Sequence, residues 1–548
     1  MKGGGTIYEA NLCFLEKVED AYFMMVQEGR MQNVSIKAGG GGMKYAYFPA
    51  GRDIWGRVPA KLADDYAMLP VIWLGDNRHF AKAKASYSGC LVLDFVKANK
   101  GEDICSQAVT TQLLYEFVTS LRFGHIKHQF LTMTDRQDMD GTYRRLDREA
   151  ILFKVLVAFV ALLERQRLDA LIMAESPHSP AQLLFYELCR FLKIPVFLFV
   201  AANSVPVIFP KRQIEYAPVS LPEGLCHAAG QEINTEIDRY FDRFMAASRV
   251  DIEPEYMKLF KQKEREKTGR VWSKRWRELK ASLRPQQADN SLKKRGWTND
   301  YQMGLFEKER GASRLARRLL NETKTFYRTG LQQAYEGYVA DYPLPEKYVF
   351  FPLHYEPERT TNPDGGDYYS QYMALICLRK VVPDDVAIVV KEHFSQFAET
   401  QQGYVGRSRF FYDAIAAMPN VHMVAVDADA AALIKGAEAV ATITGTAGLE
   451  AVCFGKPVLV FGWPWYSGCP GTVQYDHDTS YDQLLQAGGR NAMEVKGFVE
   501  GMIRHSGVVS CINPSNRKRL GRFYNEISDD REVADIARAI HYVVNSAG

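Results

Sequence analysis

The sequence lacks any apolar run long enough to cross a membrane. Its longest mainly apolar stretches, 151–163 and 194–202, are shorter than the roughly 18 uninterrupted residues that a membrane-spanning helix needs. The first residues, Met1 to Gly5, contain no apolar core of the signal-peptide type. We therefore expect neither an integral membrane protein nor a secreted one, and we expect the chain in the reducing cytoplasm.

Cysteine is scarce and scattered, with nine in 548 residues and no Cys-x-x-Cys pair. Cysteines in apolar surroundings, such as Cys189, Cys377 and Cys453, are typical of small buried side chains. The sequence also lacks an Asp-x-Asp motif in a plausible strand context, and the glycines at 39–42 lack the Gly-Lys-Ser/Thr ending of a phosphate-binding P-loop. These absences argue against a disulfide scaffold, a structural zinc site and a P-loop nucleotidase. They also predict chemistry without a metal or a cofactor.

One segment departs from the balanced charge of the chain. Between Lys258 and Arg328 there are 21 lysines and arginines against 8 acidic residues, whereas the whole chain carries only +3. Such a block is typical of a surface that binds a polyanion, either a nucleic acid or an anionic membrane. No DNA- or RNA-reading module accompanies it, so we expect a membrane surface and no nucleic-acid partner. A solvated helical linker is the alternative interpretation.

A strand, a tight turn and a helix are predicted within the stretch 437–472, which reads AEAVATITGTAGLEAVCFGKPVLVFGWPWYSGCPGT. The apolar run 439–443 reaches the small-residue turn 444–448, and a second apolar run, 457–461, follows a short helical segment that begins at Leu449. This is the pattern of a βαβ unit with its turn at the carboxyl end of the first strand. Such turns bind anions, phosphates above all. Close packing of helix on strand through the glycines is the plainer alternative.

A second βαβ unit is predicted after the long helical segment 147–166. Its first strand, 168–173, ends in the polar turn AESPHSP, and a helix and a strand follow. Glu175 and His178 in this turn are candidates for a catalytic acid, base or nucleophile, because burial at the mouth of a cleft can tune such groups toward neutrality. Capping of the next helix by Ser176 and Ser179 would explain the turn structurally.

Three strands predicted in the second half of the chain finish in polar clusters. They end near Pro352, Lys391 and Thr444. The carboxyl ends of parallel strands lie along one edge of a sheet, so side chains from the three ends can converge on one cleft. The candidates are His354, Glu356, Glu358, Arg359, Lys391, His393 and Thr444.

The small-residue turn 444–448 and the residues that follow it resemble the GT-B glycosyltransferases. In those enzymes Thr/Ser-Gly, Glu-Ala and Gly-Lys-Pro follow one another in the same order. In that family the turn holds the phosphates of a nucleotide sugar, and the acidic residue one helical turn later commonly touches the ribose. The resemblance implies these roles for Thr444, Gly445, Thr446 and Glu450. It also implies that Tyr466 closes over the sugar or the base.

Over residues 348–472 the resemblance narrows to bacterial capsule and surface-polysaccharide biosynthesis proteins, including transferases of ulosonic acids such as Kdo. It is carried by the strings FPLHYEPERTT at 351–361 and VKEHFSQF at 390–397. In transferases that use CMP-activated acids, a His-Pro pair and a Ser/Thr pair bind the CMP phosphate from two sides. His393 and the Thr444 turn match these positions, with Phe394 in place of the proline. Glu175 matches a catalytic carboxylate on the N-terminal domain.

The resemblance implies an α/β, GT-B-like fold with two Rossmann-type domains that face each other across a cleft. We expect an acceptor-side domain over 1–250, a basic helical region over 251–335, a nucleotide-sugar-binding domain over 336–515, and C-terminal helices over 516–548 that cross back to the first domain. The implied activity is metal-independent transfer of an ulosonic acid from a CMP-linked donor to a surface-polysaccharide or glycolipid acceptor.

Two other functions fit the same sequence. A sugar-nucleotide 2-epimerase or hydrolase on this fold would share the phosphate turn and would need no acceptor. A non-catalytic protein of capsule assembly or export would hold glycan in the cleft and would bind no nucleotide. The basic segment would then dock on a membrane complex at the inner face of the cytoplasmic membrane.

Overall fold

Two sheets organise the chain in a computed structural model. The structure describes residues 42–75, 83–87, 89–99, 111–136, 143–202, 206–225, 231–245, 314–339, 343–358, 360–398, 401–512 and 527–546. Most of the predicted basic segment lies outside these residues, since only the helix that begins at Arg314 is described. Arg359 also lies outside them.

The first sheet contains seven strands of the described chain, in the order β13-β6-β5-β4-β1-β2-β3. Strands β1 to β5 pair in parallel. At one edge, β6 is antiparallel to β5, and β13 is antiparallel to β6. The strands are β1 (Met43–Phe48), β2 (Met68–Gly75), β3 (Leu91–Asp94), β4 (Ala170–Met173), β5 (Val196–Ala202), β6 (Val207–Lys211) and β13 (Val508–Val509).

The second sheet contains six strands within the described ranges, all parallel, in the order β12-β11-β10-β7-β8-β9. Counted along this half of the chain, that order is 3-2-1-4-5-6 from its β9 edge, the order of a Rossmann sheet. The strands are β7 (Tyr348–Pro352), β8 (Ala387–Lys391), β9 (Val421–Val424), β10 (Ala439–Thr442), β11 (Val458–Val460) and β12 (Thr472–Gln474).

Helices lie between most of the successive parallel strands, which need a crossover connection. The described helices are α1 (Val58–Tyr66), α2 (Phe95–Asn99), α3 (Gln112–Thr119), α4 (Phe123–Asp135), α5 (Arg145–Arg165), α6 (Pro180–Phe191), α7 (Gln231–Met245), α8 (Arg314–Glu336), α9 (Gln371–Val381), α10 (Arg409–Ala416), α11 (Ala430–Gly436), α12 (Thr446–Cys453), α13 (Tyr481–Gln486), α14 (Ala492–Ser506) and α15 (Asp529–Asn545). The predicted α/β class with two mainly parallel sheets is thus confirmed. None of the described helices is long and apolar enough to span a membrane.

One apolar core is shared by the two sheets. It joins Phe209 of β6 and Phe241 of α7 to Phe350 of β7, Val499 of α14 and Trp465. The rings of Phe209 and Trp465 stack with centroids 6.0 Å apart. Each sheet also has a core of its own. Residues 43–544 accordingly form one compact unit.

The C-terminal part of the chain returns to the first sheet. β13 extends that sheet beside β6, and α15 places Glu532 against Arg52, which follows β1. The Arg52 guanidinium makes a two-pronged ion pair with Glu532, with Nη2 to Oε2 at 2.8 Å, and both side chains are buried. Ser510 donates to the same carboxylate. This pair therefore fixes α15 to the end of β1.

We expect replacement of Glu532 by glutamine to destabilise the protein by roughly 3–5 kcal/mol, because it leaves the buried Arg52 charge without its counter-ion. The free energy of unfolding in urea measures this effect. Asp530→Asn is the matched control on the same helix, since Asp530 pairs with Arg57 at an exposed position and should cost less than about 1 kcal/mol. Equal losses in the two variants would contradict the expectation.

Candidate active site

The candidate site lies where the strand order of the second sheet reverses, between β7 and β10. In open α/β sheets, ligands bind outside the carboxyl ends of the strands at this point. His354 follows β7, His393 follows β8, and the turn 443–445 follows β10. β7 lies between β8 and β10 in the sheet, so the three strand ends lie side by side at one edge, as predicted.

The turn after β10 is held by its own hydrogen bonds. The Gly445 N–H donates to Thr442 Oγ1 at 3.1 Å, and the Thr444 hydroxyl donates to the carbonyl of Thr360. Gly445 is the N-cap of α12, which begins at Thr446, three residues earlier than the sequence suggested. The Gly448 N–H donates to the Gly445 carbonyl at 3.1 Å, whereas the N–H groups of the first two residues, Thr446 and Ala447, have no intrahelical acceptor. Helix α12 presents these groups and the positive end of its dipole at the site.

His354 contacts this turn directly. Its Nε2 lies 3.2 Å from Thr442 Oγ1 and accepts from the Thr444 N–H at 3.5 Å. A Cβ atom on Gly445 would lie only 3.1 Å from the His354 ring, so glycine permits this close approach. Burial first, and then the nearby His393 and Arg407, lower the pKa of His354 to about 3. His354 is therefore neutral at pH 7 and braces the turn.

His393 is the second imidazole of the site. Its Nδ1 accepts from the Ser395 N–H at 3.2 Å, which assigns the proton of the neutral ring to Nε2. Burial lowers the pKa of His393 to about 4, Glu392 opposes the shift, and Lys391 and Arg407 add to it. His393 is the N-cap of the short 3₁₀ helix Phe394–Phe397. Phe394 thus occupies the first helical position, a position that proline also favours.

A buried ion pair lies behind the two imidazoles. Arg407 Nε donates to Glu392 Oε2 at 2.9 Å, and the side chains are 2% and 0% exposed. Arg407 Nη2 also donates to the carbonyl of His354 at 2.8 Å, and Glu392 Oε1 accepts from the His393 N–H at 2.7 Å. The Tyr412 hydroxyl donates to Glu392 Oε2 at 2.7 Å. The pair therefore joins the ends of β7 and β8.

Glu356 differs from its expected role. Its carboxylate is buried, and it accepts from Gln371 Nε2 at 3.0 Å and from the Glu358 N–H at 3.1 Å. Burial raises its pKa, although Arg407 and these hydrogen bonds oppose the shift. Gln371 also bonds to both backbone groups of His354. Glu356 therefore holds the loop after β7, which corrects the expectation that its carboxylate binds the donor.

Tyr466 also differs from its expected role. It is fully buried, and its hydroxyl donates to the carbonyl of Gly445. A Cβ atom on Gly448 would lie 2.4 Å from that hydroxyl, so this glycine makes room for the ring. Tyr466 therefore supports the turn from within the protein and does not close over a sugar, because an aromatic residue after a strand can face the core as readily as the cleft.

The other predicted donor-side residues lie around the turn and the strand ends. Thr446 and Glu450 belong to the first two turns of α12 and are half-buried. Lys391 is half-buried, and its ammonium group donates to the Glu392 carbonyl at 3.4 Å. Glu358 is exposed on the loop after β7. Their contacts with a donor stay predictions, and the same holds for Arg359 outside the described residues.

Glu175 and His178 lie at the corresponding point of the first sheet. Glu175 follows β4, which pairs with β1 where the order of that sheet reverses. Both residues are half-buried. Ser179 caps α6 by accepting from the Gln182 N–H, and Gln182 Oε1 accepts from the His178 N–H at 2.8 Å. The structural explanation of this turn is therefore confirmed for Ser179, and the catalytic roles stay predictions.

Sequence reasoning missed Arg407 and the inward orientation of Glu392. Arg407 is a single arginine in a loop, and no motif marks it. The sequence marks Glu392 only weakly, because it lies between Lys391 and His393 in the polar cluster that ends a buried strand. Thr442 is also missed as a partner of His354, because it is the last residue of an apolar strand.

A comparison with known families matches one segment in the second half of the chain. Residues 349–491 match the family model described as "Capsule polysaccharide biosynthesis protein". This confirms the resemblance read from the strings at 351–361 and 390–397. The matched segment contains the turn after β10, both imidazoles and the Glu392–Arg407 pair.

Two curated relatives are capsule polysaccharide modification proteins LipA of Neisseria meningitidis. The serogroup B protein is 33% identical over 99 residues, which is 18% of this chain and 13% of the relative. The serogroup A protein is 32% identical over 81 residues, 15% of this chain and 10% of the relative. The chain therefore spans only a small part of the length of these relatives.

Solved structures give weaker matches. The β-Kdo 2,7 transferase KpsC of Thermosulfurimonas dismutans is 12% identical with a TM-score of 0.23, covering 69% of this chain and 87% of that one. The UDP-GlcNAc 2-epimerase of Neisseria meningitidis is 10% identical with a TM-score of 0.19, covering 92% and 100%. Scores this low carry no argument for either activity.

The lowered pKa of His354 predicts a pH dependence of stability. The unfolded chain binds a proton near pH 6.5 and the folded chain only near pH 3, so stability present above pH 6.5 is lost as the pH falls toward 3. The slope is about 1.4 kcal/mol per pH unit for one such histidine. Urea unfolding of the parent and of His354→Gln at pH 7 and pH 5 should show a smaller pH dependence in the variant. The exposed His477→Gln is the control, and an equal dependence in all three proteins would contradict the assignment.

Proposed function

We propose that this protein is a glycosyltransferase of capsule polysaccharide biosynthesis that takes a nucleotide-sugar donor. The observation that carries the proposal is the contact between His354 and the Thr444–Gly445 turn at the strand-order reversal of a Rossmann sheet, with His393 at the neighbouring strand end. The match of residues 349–491 to the capsule biosynthesis family supports it.

The site suits a phosphate that must leave. Helix α12 offers N–H groups and the positive end of its dipole, and His393 Nε2–H adds a neutral donor. Such fixed donors stabilise the charge that develops on the leaving phosphate without reorganising. Half-buried Lys391 supplies a positive charge near the end of β8. We infer that no metal is required, so excess chelator should leave turnover unchanged.

We further propose that the donor is a CMP-activated ulosonic acid and that Glu175 handles the acceptor. An acceptor hydroxyl oxygen forms the new bond to the anomeric carbon, the bond from that carbon to the phosphate oxygen breaks, and CMP leaves with the electron pair. Glu175 takes the hydroxyl proton, and His178 in the same turn orients or replaces it. A surface glycan or glycolipid supplies the hydroxyl.

The donor role of His393 is tested by nucleotide binding. His393→Ala should weaken CMP binding at least tenfold, because the site loses the Nε2–H donor. The thermal shift produced by CMP, and by UDP and GDP for comparison, measures the affinity, since a ligand that binds only the native state raises its stability by mass action. His477→Ala is the control. A variant that binds CMP as tightly as the parent would contradict the donor-binding role of His393.

The catalytic role of Glu175 is tested by an isosteric change. Glu175→Gln keeps size and hydrogen bonding but removes the base, so it should lower turnover on the order of a hundredfold while CMP affinity stays near that of the parent. Product analysis with and without an acceptor glycan measures turnover and separates transfer from epimerisation. Turnover within about threefold of the parent would move the role to another residue, and a sugar nucleotide altered without an acceptor would favour the epimerase.

We also propose that the basic segment Lys258–Arg328 binds an anionic membrane, where lipid-linked acceptors occur. Each lysine or arginine near such a surface contributes up to about 1 kcal/mol, and salt screens the attraction. Co-sedimentation with phosphatidylglycerol vesicles should therefore exceed that with phosphatidylcholine vesicles and fall as salt rises. Replacing Lys293, Lys294 and Arg295 by serine should weaken it. Binding that ignores lipid charge would contradict the proposal.

A further inference from the structure

We propose that Glu392 and Arg407 are positioning residues that set the two imidazoles of the nucleotide site relative to each other. The inference rests on the proposed function. The pair acts through the backbone, because Arg407 Nη2 holds the His354 carbonyl at 2.8 Å and Glu392 Oε1 holds the His393 N–H at 2.7 Å. These contacts tie the backbone of His354 and of His393 to one ionic unit.

The environment of the pair supports a role beyond stability. Both side chains are almost fully removed from solvent, and desolvation of two charges offsets most of their attraction. Well-packed apolar residues of similar volume are often as stable as a buried ion pair. The charges provide what an apolar pair cannot, which is a donor for one backbone carbonyl and an acceptor for one backbone N–H.

The shape of the guanidinium matters as much as its charge. Arg407 uses Nε toward Glu392 Oε2 and Nη2 toward both Glu392 Oε1 and the His354 carbonyl. Tyr412 fills a further acceptor position on the carboxylate. A lysine would keep the charge but could not present this planar fork. The arrangement therefore links the backbone of His354, after β7, to Glu392, after β8.

The ion pair also influences the protonation of the two imidazoles. Arg407 lies close enough to both imidazoles to disfavour their protonation, and Glu392 opposes this effect at His393. Burial is the main cause of the lowered pKa of both imidazoles and Arg407 adds to it, so the two rings remain neutral hydrogen-bonding groups. The phosphate is then held by fixed donors whose positions depend on the pair.

The test compares single and double substitutions. Glu392→Gln should lower both the stability in urea and the affinity for CMP, because it leaves Arg407 buried without a counter-ion. Glu392→Gln combined with Arg407→Met removes both charges and should recover most of the lost stability, while CMP affinity stays at least tenfold below that of the parent. Arg407→Lys should lower CMP affinity at least fivefold with less effect on stability than Glu392→Gln. Asp413→Asn, on the same helix as Tyr412, is the control.

A second readout needs no nucleotide. Nitrogen-15 spectra of the histidine side chains in the free protein report the tautomer of each ring. The parent should show His393 with its proton on Nε2, and the double variant should show a mixture of tautomers at this ring. A double variant that keeps both the parental CMP affinity and the parental His393 spectrum would overturn the proposal. If the parent binds no CMP or other nucleotide, the proposed function fails, and an unchanged His393 spectrum in the double variant still refutes the positioning role.

Discussion

A charge pair that water cannot reach constrains the candidate site. Arg407 and Glu392 each need several partners, because a buried charge with an unmet hydrogen-bonding group is costly. The partners they find are Tyr412 and the backbone of the two residues that carry the imidazoles. The hydrogen bonds that satisfy the buried pair are therefore the same ones that hold the backbone of His354 and His393. The side-chain amide of Gln371 also holds the His354 backbone, and it bonds to the Glu356 carboxylate as well.

Close packing constrains the turn after β10, whereas the buried ion pair constrains the backbone of the two histidines. Gly445 permits the His354 ring to approach, and Gly448 makes room for the Tyr466 hydroxyl. The ring of Tyr466 fills the core below, and its hydroxyl satisfies the Gly445 carbonyl. The small-residue turn thus packs the helix closely on the strand, and the same closeness brings the Thr444 N–H to the His354 ring. Phosphate binding by the turn stays a prediction.

The sequence predicts much of this fold because the strands of a parallel sheet are continuous apolar runs. β7, β8 and β10 are almost wholly buried, and each was found from its composition. The same property hides which way the next residues point. A strand buried on both faces has no alternation of polar and apolar residues, so the inward direction of Glu392 could not be read from its neighbours. Arg407 reaches the site from a loop 15 positions further on, and only tertiary structure brings it there. The buried position of Tyr466 could not be predicted for a similar reason, since local sequence does not distinguish a core aromatic from a cleft aromatic.

The loop 360–369 connects the turn after β10 to helix α4 of the first sheet. At one end the Thr360 carbonyl accepts from Thr444, and along its length Asn362 Nδ2 donates to the Gln129 carbonyl of α4 at 3.0 Å while Arg136 donates to the Asn362 carbonyl at 3.2 Å. Asn362 is almost fully buried, so these bonds define how the loop sits on α4. The contact of Asp367 with His125 adds little by comparison, because Asp367 is 73% exposed and water screens the pair. The seam between the domains is therefore specified by buried amide and backbone groups. The loop that contacts the Thr444 turn therefore also contacts α4 and Arg136, so the two sheets are joined at the site by hydrogen bonds as well as by a common core.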